Sequence, residues 1–175
     1  AIRIPNGLDF GKSPDPAVMQ KHWMGLDGIS LYIDEGFCDN NLLPEKIEGT
    51  DRMSIVDRLE ETEPDKNQLN IGDSSGKTEI LDLRKHGFNV RGVKKGSGSV
   101  LLGMKRLGSY DIKIVKTATR TINKFSNWLY DLDHNGKILP QPPKAHEPDE
   151  IAATRYVAMA KPLWQHLIPK QKESA

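Results

Sequence analysis

The 175-residue chain carries 25 Lys and Arg against 24 Asp and Glu, with 37% hydrophobic and 28% charged residues, the balance of a globular domain long enough to bury a core without staples. No apolar run approaches the ~20 residues that a bilayer span needs, and the start AIRIPNGLDFG lacks the charged-then-apolar order of a signal peptide, so an intracellular domain with no membrane partner is expected. The lone cysteine, Cys38, excludes an internal disulfide and a cysteine-cluster zinc site, and reads as a buried or idle thiol.

In chain order, period-two and β-branched patterns predict strands near Arg3 to Phe10, Ala17 to Trp23 and Ile29 to Glu35, with LDG turning between the last two. This is an antiparallel start. Leu43 to Lys66 is polar, acidic and broken by Pro44, Gly49 and Pro64, with helical spacing only in MSIVDRLEE. Alternation follows: NQLNIGD as a strand, KTEILDLRKHG as a helix closed by Gly87, FNVRGVKK as a strand, SVLLGMKRLG as a helix, YDIKIVKT as a strand and TRTINKFSNWLYDL as a helix. A last helix follows Pro148, expected at its first position, with Asp149 and Glu150 where the helix dipole favours negative charge. Ile122, Phe125, Trp128 and Leu129 are expected in the core, as are Tyr156, Met159 and Leu163. The order predicts an α/β fold, a mixed central sheet flanked by helices. One domain is expected over residues 1–165, with a polar, disordered tail over 166–175.

The near-zero net charge hides an asymmetry. Asp34 to Leu83 holds fourteen acidic and five basic residues, whereas Arg84 to Lys124 holds eleven basic residues and the single acid Asp111. The segment reads either as one electropositive surface for a polyanion or as a solvated face balanced by its acidic neighbours. Lys94, Lys95, Lys105 and Arg106 are its candidate phosphate contacts; the first two adjoin a Gly-Ser-Gly turn whose amides could face phosphates, the alternative being a solvated hairpin.

Asp9 ends an apolar strand before Phe10 and Gly11, and Asp73 leaves a short strand into the loop SSGK. Ligands gather at the carboxyl ends of strands in helix-flanked sheets. In HEPDEIAATRYVAMA, His146, Asp149 and Ala152 lie three residues apart at a helix mouth. Asp9, Asp73 and Asp149 together could hold hard divalent cations, which take oxygen ligands. The competing reading makes each aspartate a loop or helix cap.

GLDFGKSPDP, LYIDEGF, NIGDSSGKTEILDLRKHGFNVRGVKKGSGSVLLGMKRL and DEIAATRYVAMA resemble, in that order and over nearly the whole chain, the nuclease domain of the large terminase subunit of tailed bacteriophages. The resemblance implies a ribonuclease-H-like fold, related to Holliday-junction resolvases, that cuts concatemeric viral DNA during genome packaging with two divalent ions, Mg2+ or Mn2+. It implies Asp9 as the bridging carboxylate, Asp73 completing one metal site, and Asp149 with position 152 forming the other. The family pattern has Asp where Ala152 stands in Ala152-Ala153-Thr154-Arg155-Tyr156, so an impaired second site is expected. Implied partners are double-stranded DNA, the ATPase half of the same subunit, the portal and the small terminase subunit, in the host cell cytoplasm. G-x-x-x-x-G-K-[ST], the nucleotide-binding signature of that ATPase half, is not met by IGDSSGKT. With no base-reading motif, cutting is expected to be largely sequence-nonspecific. The alternatives are a non-catalytic DNA-binding or motor-docking module and a junction resolvase.

Overall fold

Pro5 sets the first irregularity of the sheet. The computed structural model describes residues 1–11, 15–94, 96, 98–128, 134–135 and 147–170. Its first strand, β1 (Ile2–Asp9), pairs antiparallel with β2 (Ala17–Met24), and the register slips by one residue between Ile4 and Gly7. A proline has no N–H for the ladder and is tolerated at such a bulge. The extra residue inverts the alternation: Ile4 packs in one core cluster, Leu8 in the other, and Asp9 emerges on the face of Ile4. A second slip separates Met19 from Gln20 where β2 meets β3 (Ser30–Asp39). It falls at Gly36, where a Cβ would stand 1.8 Å from Met19 Sδ.

The sheet runs β5-β4-β1-β2-β3-β6. Its central three strands are antiparallel. β4 (Asn70–Asp73) and β5 (Val90–Val93) add in parallel beside β1, and β6 (Asp111–Ile114) adds in parallel beside β3. The mixed sheet with an antiparallel start and parallel later strands is therefore borne out. On one face α1 (Ile55–Thr62) and α2 (Lys77–Lys85) cover Leu8, Met19 and Phe37. On the other lie α3 (Ser99–Gly108), α4 (Thr119–Asn127) and α5 (Asp149–Met159), then α6 (Lys161–Trp164) and a 3-10 turn at Gln165–Leu167.

Helix α5 is buried along Glu150 to Ala158 and runs back along β1. Close approach is possible because residue 7 is glycine: a Cβ there would lie 2.1 Å from the Ala153 carbonyl oxygen. His22 Nδ1 donates to the Pro5 carbonyl, 3.0 Å, which leaves Nε2 of the neutral ring to accept from the Thr154 hydroxyl at 2.9 Å. Burial pushes the His22 pKa down to about 4, with Arg3 adding to the fall and the Pro5 bond opposing it.

Several expectations shift in detail. Helix α4 stops at Asn127, Ile122, Phe125 and Trp128 are only half-buried, and Leu129 lies outside the described residues. Tyr156 is core as expected, but Leu163 is 38% exposed and Trp164 takes the inward place. The helix breaks at Ala160, which resets its phase. Pro148 is the N-cap of α5 rather than its first residue. Ile168, within the stretch expected as tail, packs against the core, and residues 171–175 lie outside the described set. No described helix is long and apolar enough to cross a membrane.

Candidate active site

Three elements deliver the three candidate aspartates to one cavity. Leu8 is in register with Gly72, so the next residues, Asp9 and Asp73, end adjacent parallel strands at the same sheet edge. Ile71 packs in the core cluster beneath α5, and by alternation Asp73 shares that face with Asp9. Asp149 opens α5 above them, and all three line a cavity of about 550 Å³ with Phe10, Lys77 and Tyr156. Asp9 and Asp73 also shape their own turns: Oδ1 of each accepts a backbone N–H 3.0 Å away, from Gly11 and Ser75 respectively. The cap reading and the site reading are thus compatible. Gly76 lets the loop lie on the Phe10 ring, since a Cβ there would be 2.3 Å from Phe10 Cδ2.

Asp15 and Glu79 line the same cavity. Sequence reasoning missed both, along with Lys77, although SSGK leading from a strand-end Asp into a helix pointed to that loop. Among the described residues the lining holds five carboxylates and one lysine, a balance that repels a phosphodiester unless cations neutralise it. Oxygen donors from three elements are the chemistry that Mg2+ or Mn2+ prefers. Among the described residues, however, no group of three His, Cys, Asp or Glu stands close enough to form a ready metal cluster. The donor set fits a divalent ion by chemistry and shared cavity, with the carboxylates set apart.

Ala152 does not line the cavity; it is 4% exposed, within the apolar cluster of Ile4, Ile71 and Tyr156. It nevertheless lies on the helix stripe between Asp149 and Tyr156, both of which do. His146 and Lys95 lie outside the described residues. Lys94 is exposed one residue beyond Val93, the register partner of Asp73, and so lies at the same sheet edge without lining the cavity. Lys105 and Arg106 sit in the last turn of α3, about 9 Å further along its axis at 1.5 Å per residue. Arg106 Nη1 donates to the carbonyls of Ala158 and Met159, at 3.1 and 2.9 Å, closing the carboxyl end of α5. The basic segment does not form one surface, because β5 and β6 occupy opposite edges of the sheet and Arg106 is turned to the carboxyl end of α5.

Among the described residues two ion pairs flank Asp149, one buried and one with its arginine 39% exposed. Arg155, 2% exposed, grips Glu147 with two hydrogen bonds of 2.8 and 2.7 Å. Burial opposes its charge, but the Glu147 hydrogen bond and charge, with Tyr156 and Asp9 adding to them, hold the guanidinium pKa above its ordinary value. Arg120 Nε lies 3.0 Å from Glu150 Oε1. Burial raises the Cys38 thiol; Arg120 counters it, while Glu150, Asp39 and Asp149 add to the rise, in keeping with an idle thiol.

The fold is that of a ribonuclease-H-like nuclease domain. In particular, the chain is similar to the nuclease domain of g2p, the large terminase of bacteriophage SPP1, whose crystal structure holds bound manganese. The TM-score is 0.69 at 28% identity, covering 87% of this chain and 83% of that one. The large terminase nuclease of the thermophilic phage G20c shares the fold with a TM-score of 0.52 at 19% identity, over 91% of this chain and 82% of that one. The group that the sequence motifs resemble is thus the group whose structures match. No protein-family model and no curated protein matches the chain.

Proposed function

We propose that this chain is a divalent-metal-dependent, largely sequence-nonspecific DNA endonuclease of the large-terminase type, cutting viral DNA during genome packaging. The observation that carries the reading is the cavity at the carboxyl edge of the sheet, into which β1, β4 and α5 each bring one aspartate, in a chain that resembles a manganese-bound terminase nuclease. Asp9, Asp73 and Asp149 would hold the cations. Divalent ions supply charge stabilisation at the scissile phosphate and make water nucleophilic near neutral pH. The protein's own part is to fix the carboxylates by turns and helix packing, and to attract the DNA backbone with exposed lysines. Lys94, Lys95 and Lys105 remain the candidate contacts, whereas Arg106 is better suited to closing α5. Partners of the kind the resemblance implies, double-stranded DNA and the remaining packaging machinery, belong to the same proposal.

Supercoiled plasmid incubated with the chain and Mn2+ should be nicked and linearised, and EDTA should abolish this. Asp9→Asn and Asp73→Asn should each slow cleavage by roughly two orders of magnitude or more. Melting temperatures should hold or rise, because each change relieves like-charge repulsion. An aspartate whose Asn variant cuts at the parent rate does not belong to the site. Should the parent prove too slow to measure, Mn2+ binding replaces cleavage as the readout; loss of both in the parent would leave the DNA-binding module as the better reading.

A further inference from the structure

Asp149 stands in the sequence Glu147-Pro148-Asp149-Glu150, three carboxylates at the start of a helix whose N-cap, Pro148, offers no side-chain acceptor. Of these, Asp149 lines the cavity with Asp9 and Asp73, so like-charge repulsion across the cavity opposes the helix-dipole preference for an acid in this turn. Something must hold it in place. On one side Arg155 grips Glu147. On the other a buried polar relay reaches from the sheet: Gln20 Nε2 on β2 donates to Thr121 Oγ1 at 2.9 Å, and Glu35 Oε1 on β3 accepts from Thr121 N at 2.9 Å and from its hydroxyl at 3.1 Å. Glu35 thereby caps α4 from another element, since Ala118 at the N-cap of α4 supplies no side-chain acceptor. Capping fixes the first turn of α4, which carries Arg120. Arg120 lies 3.9 Å from Glu35 and 3.0 Å from Glu150, whose side chain is 4% exposed.

We propose that Arg120 and Glu150 are positioning residues: anchored through Glu35 and Thr121, their ion pair sets the first turn of α5 so that Asp149 is presented to a divalent ion shared with Asp9 and Asp73. The proposal rests on the metal-binding reading of Asp149. Arg120 Nε is at ion-pair distance from Glu150 without a well-directed hydrogen bond; as a charge contact to a glutamate this buried it disfavours other placements of the turn. Groups that orient a metal ligand without touching the metal commonly carry a tenfold or larger share of affinity.

Charge and position predict opposite signs for one substitution, which makes the test direct. Arg120→Gln removes a cation near the site; acting through charge alone, it would tighten Mn2+ binding. Acting through position, it should weaken Mn2+ binding by about tenfold. Free Mn2+ is titrated by electron paramagnetic resonance against the whole chain, without DNA, for the parent, Arg120→Gln, Arg120→Lys and Asp149→Asn, with Leu107→Ala as a core-destabilised control. Supporting results are a weakened Arg120→Gln beside a Leu107→Ala control of parent affinity, and a weakened Arg120→Lys, which keeps the charge but has one ammonium in place of the two nitrogens that face Glu35 and Glu150 and carries the comparison if the Gln variant does not fold. Tighter or unchanged binding in Arg120→Gln, parent affinity in Arg120→Lys, or an equal loss in Leu107→Ala overturns the positioning role alone. No Mn2+ binding by the parent, or binding unaffected by Asp149→Asn, overturns the metal reading and this proposal with it.

Discussion

At the scale of single residues, Ala152 and Lys94 carry opposite kinds of expectation. Asp149 and Tyr156 line the cavity about two turns apart, and residue 152 lies between them on the same stripe. A carboxylate there could lean into the cavity and add the oxygen donor that the resemblance expects. Ala152→Asp is therefore expected to raise Mn2+-dependent plasmid cleavage by an order of magnitude or more, despite the cost of placing a charge where the native methyl is buried. Equal or lower activity in a folded variant would make Ala152 a packing residue and nothing else. Lys94 is exposed at the edge that bears Asp73. Its replacement by Ala should weaken DNA binding alike for all sequences and lower the salt slope by about 0.9 for the lost phosphate contact. An unchanged slope in a salt titration would show that the side chain points away from DNA. Neither residue was hard to find in the sequence. What the sequence could not reveal is that Arg106, equally basic, has its guanidinium engaged by the carboxyl end of α5, a partner fifty residues away in the chain.

At the scale of elements, the site depends on how closely α5 lies on β1. Gly7 sets that distance, and Gly7→Ala would drive a methyl to 2.1 Å from the Ala153 carbonyl oxygen. Both groups are backbone-anchored, so the helix itself must shift. The expected loss is at or above the ~3 kcal/mol end of overpacking costs, or on the order of 5–10 °C in melting temperature for a domain of this size. Cleavage should fall with it, because Asp149 rides on the displaced helix. Thermal unfolding within about 2 °C of the parent would mean that α5 already sits further from the sheet. The element boundaries read from the sequence held where turn chemistry was local, as at LDG between β2 and β3 and at Gly87 after α2. They slipped at α4, which ends at Asn127 with Trp128 extended although its apolar spacing continues through Leu129.

At the scale of the whole molecule, stability should depend on pH through His22. Its folded pKa is depressed to about 4 by burial, below the ~6.5 of an exposed histidine. Between these values the unfolded chain binds a proton that the folded chain refuses. The contribution is thus fully present above the unfolded value and is lost as pH falls from about 6.5 toward 4, on the order of 3 kcal/mol in all. Urea unfolding at pH 7 and pH 5 should show a lower midpoint at pH 5, and His22→Gln should remove that part of the difference; a His22→Gln variant with the parent's full pH dependence would assign it elsewhere. Nothing about His22 in the sequence distinguished it from a surface histidine, because its burial depends on Pro5, Thr154 and α5 meeting at one point. By itself the sequence determined the order and kind of the elements, since hydrophobic period and turn residues act over a few positions. It also determined which aspartates stand at strand and helix ends. Only the tertiary structure decided that Asp9 faces α5, because the slip around Pro5 reverses the alternation. It likewise decided that the basic segment divides between two sheet edges and that arginines from α4 and α5 hold the turn bearing Asp149. Register and ion pairing join residues far apart in the chain, and a local pattern carries no information about such distances.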